Sequence, residues 1–118
     1  LRKIKQMDYT VKLDTNGSFP NRLKDIIRNR LADYIAMDIK APLEKYNFIA
    51  GVKVNTEDIK KSIRIIVRSG LDYHFRTTVV KGLLTIKDIK QIRRLVKKEG
   101  GQRHTLQKFR FSGKILDN

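Results

Sequence analysis

Four short runs of β-forming residues, starting near residues 9, 34, 72 and 104, are separated by stretches in which apolar residues return every three or four positions. A chain built this way has few folds open to it. Strands joined through a helix run parallel, because the helix carries the chain back to the edge where the last strand began, and right-handed crossovers make that return. The sequence therefore predicts an α/β fold in which four parallel strands alternate with helices.

The local signals agree with this order. Tyr9 to Asp14 is the first strand, closed by Thr15-Asn16-Gly17, where Asn-Gly supplies the positive φ angles of a tight turn. Pro20 suits a first helical turn, and Leu23, Ile26, Ile27 and Leu31 carry that helix to about Ala32. Tyr34 to Lys40 is the second strand. It is ended by Ala41-Pro42, since proline drives the residue before it out of helical geometry, and residues 41–54 read as a long loop. Asn55-Thr56-Glu57-Asp58 opens a helix with Ile59, Ile63, Ile66 and Val67 on one stripe and Gly70 past its end. Asp72 to Val80 is the third strand. Thr85-Ile86-Lys87-Asp88 caps a helix that faces inward through Ile89, Ile92 and Val96 and stops at Gly100-Gly101, before a fourth strand from His104 to Phe111. Leu1 to Met7 reads as the last two turns of an amphipathic helix with nothing upstream to cap it, so residues 1–118 are expected to be a single segment of a larger domain. A small open sheet and about half of a barrel both satisfy the pattern, and the uncapped start favours the partial barrel.

Composition removes several classes of function. With no Cys in 118 residues, the segment by itself offers no disulfide, no thiol nucleophile, no Cys-ligated zinc and no iron–sulfur cluster. No uncharged run exceeds seven residues, against the roughly 20 apolar residues of a membrane-spanning helix. No signal-peptide core opens the chain either, so the expected location is the cytoplasm, without a membrane partner.

In parallel α/β folds, chemistry gathers at the carboxyl ends of the strands. Alternation along the second strand sends Ile35, Met37 and Ile39 toward the helices, and Ala36, Asp38 and Lys40 to the other face. A carboxylate and an ammonium on one face of such an apolar strand must pair, meet a ligand or reach water, because an unpaired buried charge costs several kcal/mol. Lys40 could instead merely begin the loop while Asp38 caps neighbouring backbone. Arg76, with His74 and Thr78 on its face, is a planar fork for a carboxylate or phosphate, or an internal partner for Asp38 or Asp14. Asp14 and Thr15 either cap their own turn or supply oxygens to a small cation, and spacing alone favours the turn. His74 and His104 lack metal-ligand spacing, and neither is assigned a catalytic role.

Four motifs now stand in order at four strand ends: Leu13-Asp14-Thr15-Asn16-Gly17, Ala36-Met37-Asp38-Ile39-Lys40, Arg76-Thr77-Thr78-Val79-Val80 and Leu106-Gln107-Lys108-Phe109-Arg110. Together they resemble the C-terminal half of radical S-adenosylmethionine enzymes. The nearest group is the activating enzymes of glycyl-radical proteins, of the anaerobic ribonucleotide reductase or pyruvate formate-lyase activase type. The resemblance covers essentially the whole chain. It implies the third to sixth strands of a (β/α)₆ partial TIM barrel, with the Cys-x₃-Cys-x₂-Cys loop that holds a 4Fe–4S cluster, and a Gly-Gly-Glu-Pro motif, lying outside this segment. Asp38 and Lys40 then match the Asp-x-Lys that helps hold the methionine end of S-adenosylmethionine, Arg76 and Arg110 line the same mouth, and Asp14 and Thr15 match positions that help bind a monovalent cation. The chain departs from the family pattern at Lys81 and Phe111, where proline is usual, and neither change removes a ligand.

The implied activity passes one electron from the reduced cluster into S-adenosylmethionine, and the resulting 5′-deoxyadenosyl radical takes a hydrogen from a backbone glycine of a partner glycyl-radical enzyme. A flavodoxin or ferredoxin is the implied electron donor. Lacking the cluster cysteines, the 118-residue segment alone is expected to be inactive.

The net charge of +15 raises a second class, a non-enzymatic basic α/β module binding an acidic protein or nucleic acid. Residues 1–5, 21–31, 57–69 and 86–99 hold 17 of the 27 Lys and Arg, on helical segments whose apolar stripes face inward. Those charges point to solvent, and the later two helices carry no aromatic residue for stacking, so nucleic acid is not the expected partner. A barrel binding a phosphorylated metabolite is disfavoured, because no Gly-rich phosphate loop opens a helix.

Overall fold

The computed structural model describes residues 9–80 and 82–108. The elements run β1 (Lys12–Thr15), α1 (Pro20–Arg28), β2 (Tyr34–Asp38), a 3₁₀ turn (Leu43–Lys45), α2 (Tyr46–Ala50), α3 (Thr56–Val67), β3 (Asp72–Val79), α4 (Ile86–Lys98) and β4 (His104–Lys108). All neighbouring strands pair in parallel, in the sheet order β1-β2-β3-β4. The expected α/β alternation with four parallel strands is what forms.

Strand alternation sets the layers. Ile35, Met37, Ile39 and Phe75 are fully buried and form one cluster with Leu23 of α1, Ile59, Ile63 and Ile66 of α3, and Ile92 and Val96 of α4. Strand residues of one parity thus meet all three long helices, which places those helices on a single face of the sheet. Burying each such side chain contributes about 1.5–3 kcal/mol, so this layer supplies the main driving force. The opposite face carries Asp14, Asp38, His74 and Arg76.

The helix starts follow the capping rules read from the sequence. Asn55 accepts a hydrogen bond from the Glu57 amide, and Thr85 and Asp88 cap α4 reciprocally. Gly17 sits at φ +75°, and a Cβ there would lie 2.2 Å from Met37 Cε, so the β1–α1 turn requires glycine both for its backbone and for its packing. The buried Ser62 hydroxyl donates to Gly17 O at 2.7 Å and ties that turn to α3.

Several boundaries differ from expectation, each for a physical reason. The first helix ends at Arg28 rather than Ala32, because Arg30 turns left-handed at φ +55°. The amides of Arg30 and Leu31 bond back to Ile27 O and Ile26 O, a Schellman cap in which Leu31 takes the position where an apolar residue is usual. The apolar period thus runs past the helix it belongs to. Strand β1 begins at Lys12 because Val11 is bound to the entry of β2: its amide donates to the Asp33 carboxylate, and its carbonyl accepts from Asp33 and Tyr34. Residues 41–54, read as loop, contain the 3₁₀ turn and α2, with Tyr46 buried. The stretch Leu1–Met7, Lys81, and the end of the expected fourth strand at Phe109–Phe111 lie outside the described residues. No described helix is long and apolar enough to cross a membrane.

Candidate functional site

Cross-strand partners share a face, so the parallel ladder lines up side chains in rows. Asp14, Ala36 and His74 form one row, and Asp38, Arg76 and Thr105 form the next row toward the carboxyl ends. Both rows lie on the face away from the helices. Three ionic groups from β1, β2 and β3 are thereby brought within reach of one another.

Arg76 is their hub. Its Nε donates to Asp38 Oδ1 at 2.5 Å, its Nη2 to Asp38 Oδ2 at 3.5 Å, and Nη2 lies 3.3 Å from Asp14 Oδ1. The Arg76 side chain is only 18% exposed, against 39% for Asp38 and 61% for Asp14. Its pKa is raised, first by the hydrogen bond to Asp38, so it stays charged throughout. Arg76 is therefore an internal partner of both carboxylates, the second of the roles its sequence position left open.

Asp38 and Lys40 line a common cavity of about 270 Å³ at the carboxyl end of β2 and β3, walled by Ile49, Thr78, Val80 and Leu83. Lys40 is exposed, and among the described residues it has no carboxylate partner. Its backbone is fixed from two sides. The Lys40 amide donates to the Tyr46 hydroxyl at 3.2 Å, and the neighbouring Ile39 carbonyl accepts from the buried Thr77 hydroxyl at 2.7 Å. Burial raises the pKa of Tyr46, against the lowering effect of the Lys40 amide, so its hydroxyl stays neutral. Tyr46 was not singled out in the sequence, and Thr77 stood there only as part of the motif from Arg76 to Val80, without a role. The one available signal for Tyr46 was the uncharged run from Tyr46 to Val52, separated from Asp-x-Lys by five residues.

The other sequence candidates separate. Asp14 faces the ionic row. Thr15 lies on the alternate face beside Met37, and its hydroxyl accepts from the Gly17 amide at 3.1 Å, the turn geometry that spacing favoured. Among the described residues no group of three or more His, Cys, Asp or Glu is placed to hold a metal ion. Arg110 lies outside the described residues. His74 sits within β3 with Nδ1 2.7 Å from the Tyr34 hydroxyl, its pKa lowered first by burial and then by Lys12 and Arg76.

No protein-family model matches the chain. A protein of Methanocaldococcus jannaschii provisionally named a glycyl-radical enzyme activating enzyme is 33% identical over 100 residues, which cover 81% of this chain. The match spans 42% of that protein's length. In sequence, then, this chain is similar to part of a glycyl-radical enzyme activating enzyme.

Proposed function

We propose that this chain is the S-adenosylmethionine-binding part of a radical S-adenosylmethionine enzyme of the glycyl-radical activating type, folded as the C-terminal part of a (β/α)₆ partial barrel. One observation carries the reading. Asp38 and Lys40 stand over a single cavity at the carboxyl ends of parallel strands, with Arg76 behind them, in a chain similar to an activating enzyme.

The donor set fits the cofactor's polar end. Lys40, without a carboxylate partner among the described residues, suits a carboxylate. Asp38 keeps acceptor capacity beside the bonds it takes from Arg76 and suits an ammonium, while Arg76 fixes the orientation of that carboxylate. Tyr46 and Thr77 hold the backbone between the two charges, so the site is set before anything binds. When bound, S-adenosylmethionine together with a 4Fe–4S cluster ligated outside this segment supplies the one-electron chemistry. The reading assigns Arg110 to the rim of the mouth, and Asp14 with Thr15 to a monovalent cation beside it, with the Asp14 carboxylate as the donor that faces the mouth, since the Thr15 side chain lies on the alternate face. Asp14 already bears the Arg76 charge, so a cation there competes with that guanidinium. The protein substrate is a glycyl-radical enzyme, and the electron donor a flavodoxin or ferredoxin.

Calorimetric titration of the protein with S-adenosylmethionine tests this directly. Asp38→Asn and Lys40→Ala each weaken binding by about tenfold, the loss of one charge-assisted contact, whereas Lys90→Ala on the outer face of α4 leaves it intact. Unchanged affinity in both site variants, with an unchanged circular dichroism spectrum, overturns the assignment.

A further inference from the structure

We propose that the hollow between α4 and the turn into β4 binds a phosphate-bearing small molecule, at a site separate from the Asp38–Lys40 mouth and independent of the function proposed above. The hollow measures about 540 Å³, within the range of about 300–1,000 Å³ typical of small-ligand sites, so it holds more than a bare anion. Arg93 and Lys97 come from α4, Arg103 from the following turn, and no carboxylate lines it among the described residues.

Arg93 is aimed by an uncharged partner. The Thr77 hydroxyl donates its proton to Ile39 O, since a carbonyl only accepts, so the Thr77 oxygen, 2.8 Å from His104 Nε2, takes the N–H of that ring nitrogen. His104 Nδ1 is left as a lone pair, to which Arg93 Nε donates at 3.3 Å. Burial, then Arg93 itself, lowers the His104 pKa to about 4, so the imidazole is neutral at ordinary pH. Arg93 is thus held in place by a group that does not cancel its charge, and among the described residues it has no carboxylate partner.

Arg103 is as unusual. Arg103 adopts φ +56°, a left-handed conformation that residues with a Cβ rarely take, and its pairing with Asp72 is loose, 3.9 Å between two exposed side chains. The floor is apolar: Val96 is buried, and Gly101 has no room for a Cβ, which would lie 2.9 Å from both Val67 and Val96. A cationic rim over an apolar floor suits a molecule with phosphate at one end and a flat carbon framework at the other. Two guanidinium forks match phosphate oxygens bidentately. Lys97, in the last turn of α4, is accounted for by the negative end of the helix dipole. Arg93 lies more than a turn earlier and Arg103 beyond the helix, so that explanation does not reach them.

The test is calorimetric titration of the protein with pyrophosphate and with ADP at about 0.15 M salt, with the His104 ring followed by NMR. Saturable one-to-one binding that shifts the His104 resonances, and weakens at least about tenfold in Arg93→Gln and in Arg103→Gln, supports the site. Arg103 is exposed, so its variant keeps the test open should Arg93→Gln fail to fold. Absence of saturable binding to either probe, retention only of long polyanions such as heparin, or equal affinity in Arg103→Gln overturns it.

Discussion

Both carboxylate oxygens of Asp38 accept from Arg76, Oδ1 from Nε at 2.5 Å and Oδ2 from Nη2 at 3.5 Å. With Asp38 39% exposed, water screens part of this pair, so its net worth is about 1–2 kcal/mol rather than that of a buried bridge. Arg76→Gln leaves Asp14 and Asp38 as neighbouring carboxylates without their shared cation, and lowers stability by that amount. Urea unfolding of the two single variants and of Arg76→Gln/Asp38→Asn should return a coupling energy of about 1 kcal/mol. Strict additivity contradicts the pairing.

Gly17→Ala meets two penalties at one position. The left-handed backbone costs an L-residue about 1–2 kcal/mol, and the new methyl group displaces the fully buried Met37. A loss of at least about 2 kcal/mol is expected in denaturant titration. A loss below about 0.5 kcal/mol means the turn can relax.

The pH dependence of stability should show the histidines. His104 has a pKa of about 4 in the fold against about 6.5 unfolded, so between those values the unfolded chain binds more protons and stability rises with pH. His74, also lowered, adds in the same direction. Their contribution is complete above pH 6.5 and fades as the pH falls toward 4. The lowered carboxyls of Asp88 and Glu99 add their own loss as the pH falls through their ordinary values of 3.8 and 4.5 and beyond, at the acid end of that window and outside the range from pH 7 to pH 5. His104→Asn should therefore flatten the slope of the urea midpoint between pH 7 and pH 5, by about 1 kcal/mol after allowance for solvent screening. An unchanged slope refutes a neutral His104.

Tyr46→Phe removes one hydroxyl from a side chain 2% exposed and leaves the Lys40 amide without its acceptor. Stability falls by about 1 kcal/mol, and exchange of the Lys40 amide accelerates by about five- to tenfold, while amides in α4 keep their protection. An unaltered Lys40 exchange rate shows that the bond does not hold that segment.

Much of this architecture was legible in one dimension. The apolar parity of Ile35, Met37 and Ile39 identified the helix-facing side of β2, and all three are fully buried. The same alternation put Asp38 and Lys40 on the far face, where they line one cavity. Thr85 and Asp88, three residues apart, announced the start of α4 through their reciprocal bonds. What stayed hidden was long-range or exceptional. Thr77 meets Ile39 across 38 residues and His104 across 27, and no local pattern encodes such pairings. Arg30 takes the left-handed cap position that glycine usually marks, so nothing stopped the first helix where it stops. The short α2 has no side-chain cap and too few residues for a period to show.

Because Arg76 reaches carboxylates on both preceding strands, the three ions also act as a check on assembly. Were any of these strands to slide by one position against its neighbour, its ion would swing into the oily layer beneath the helices, unpaired and dehydrated. Misaligned versions of the sheet carry that fault openly, so the charges that line the mouth also help the chain reject the wrong stagger.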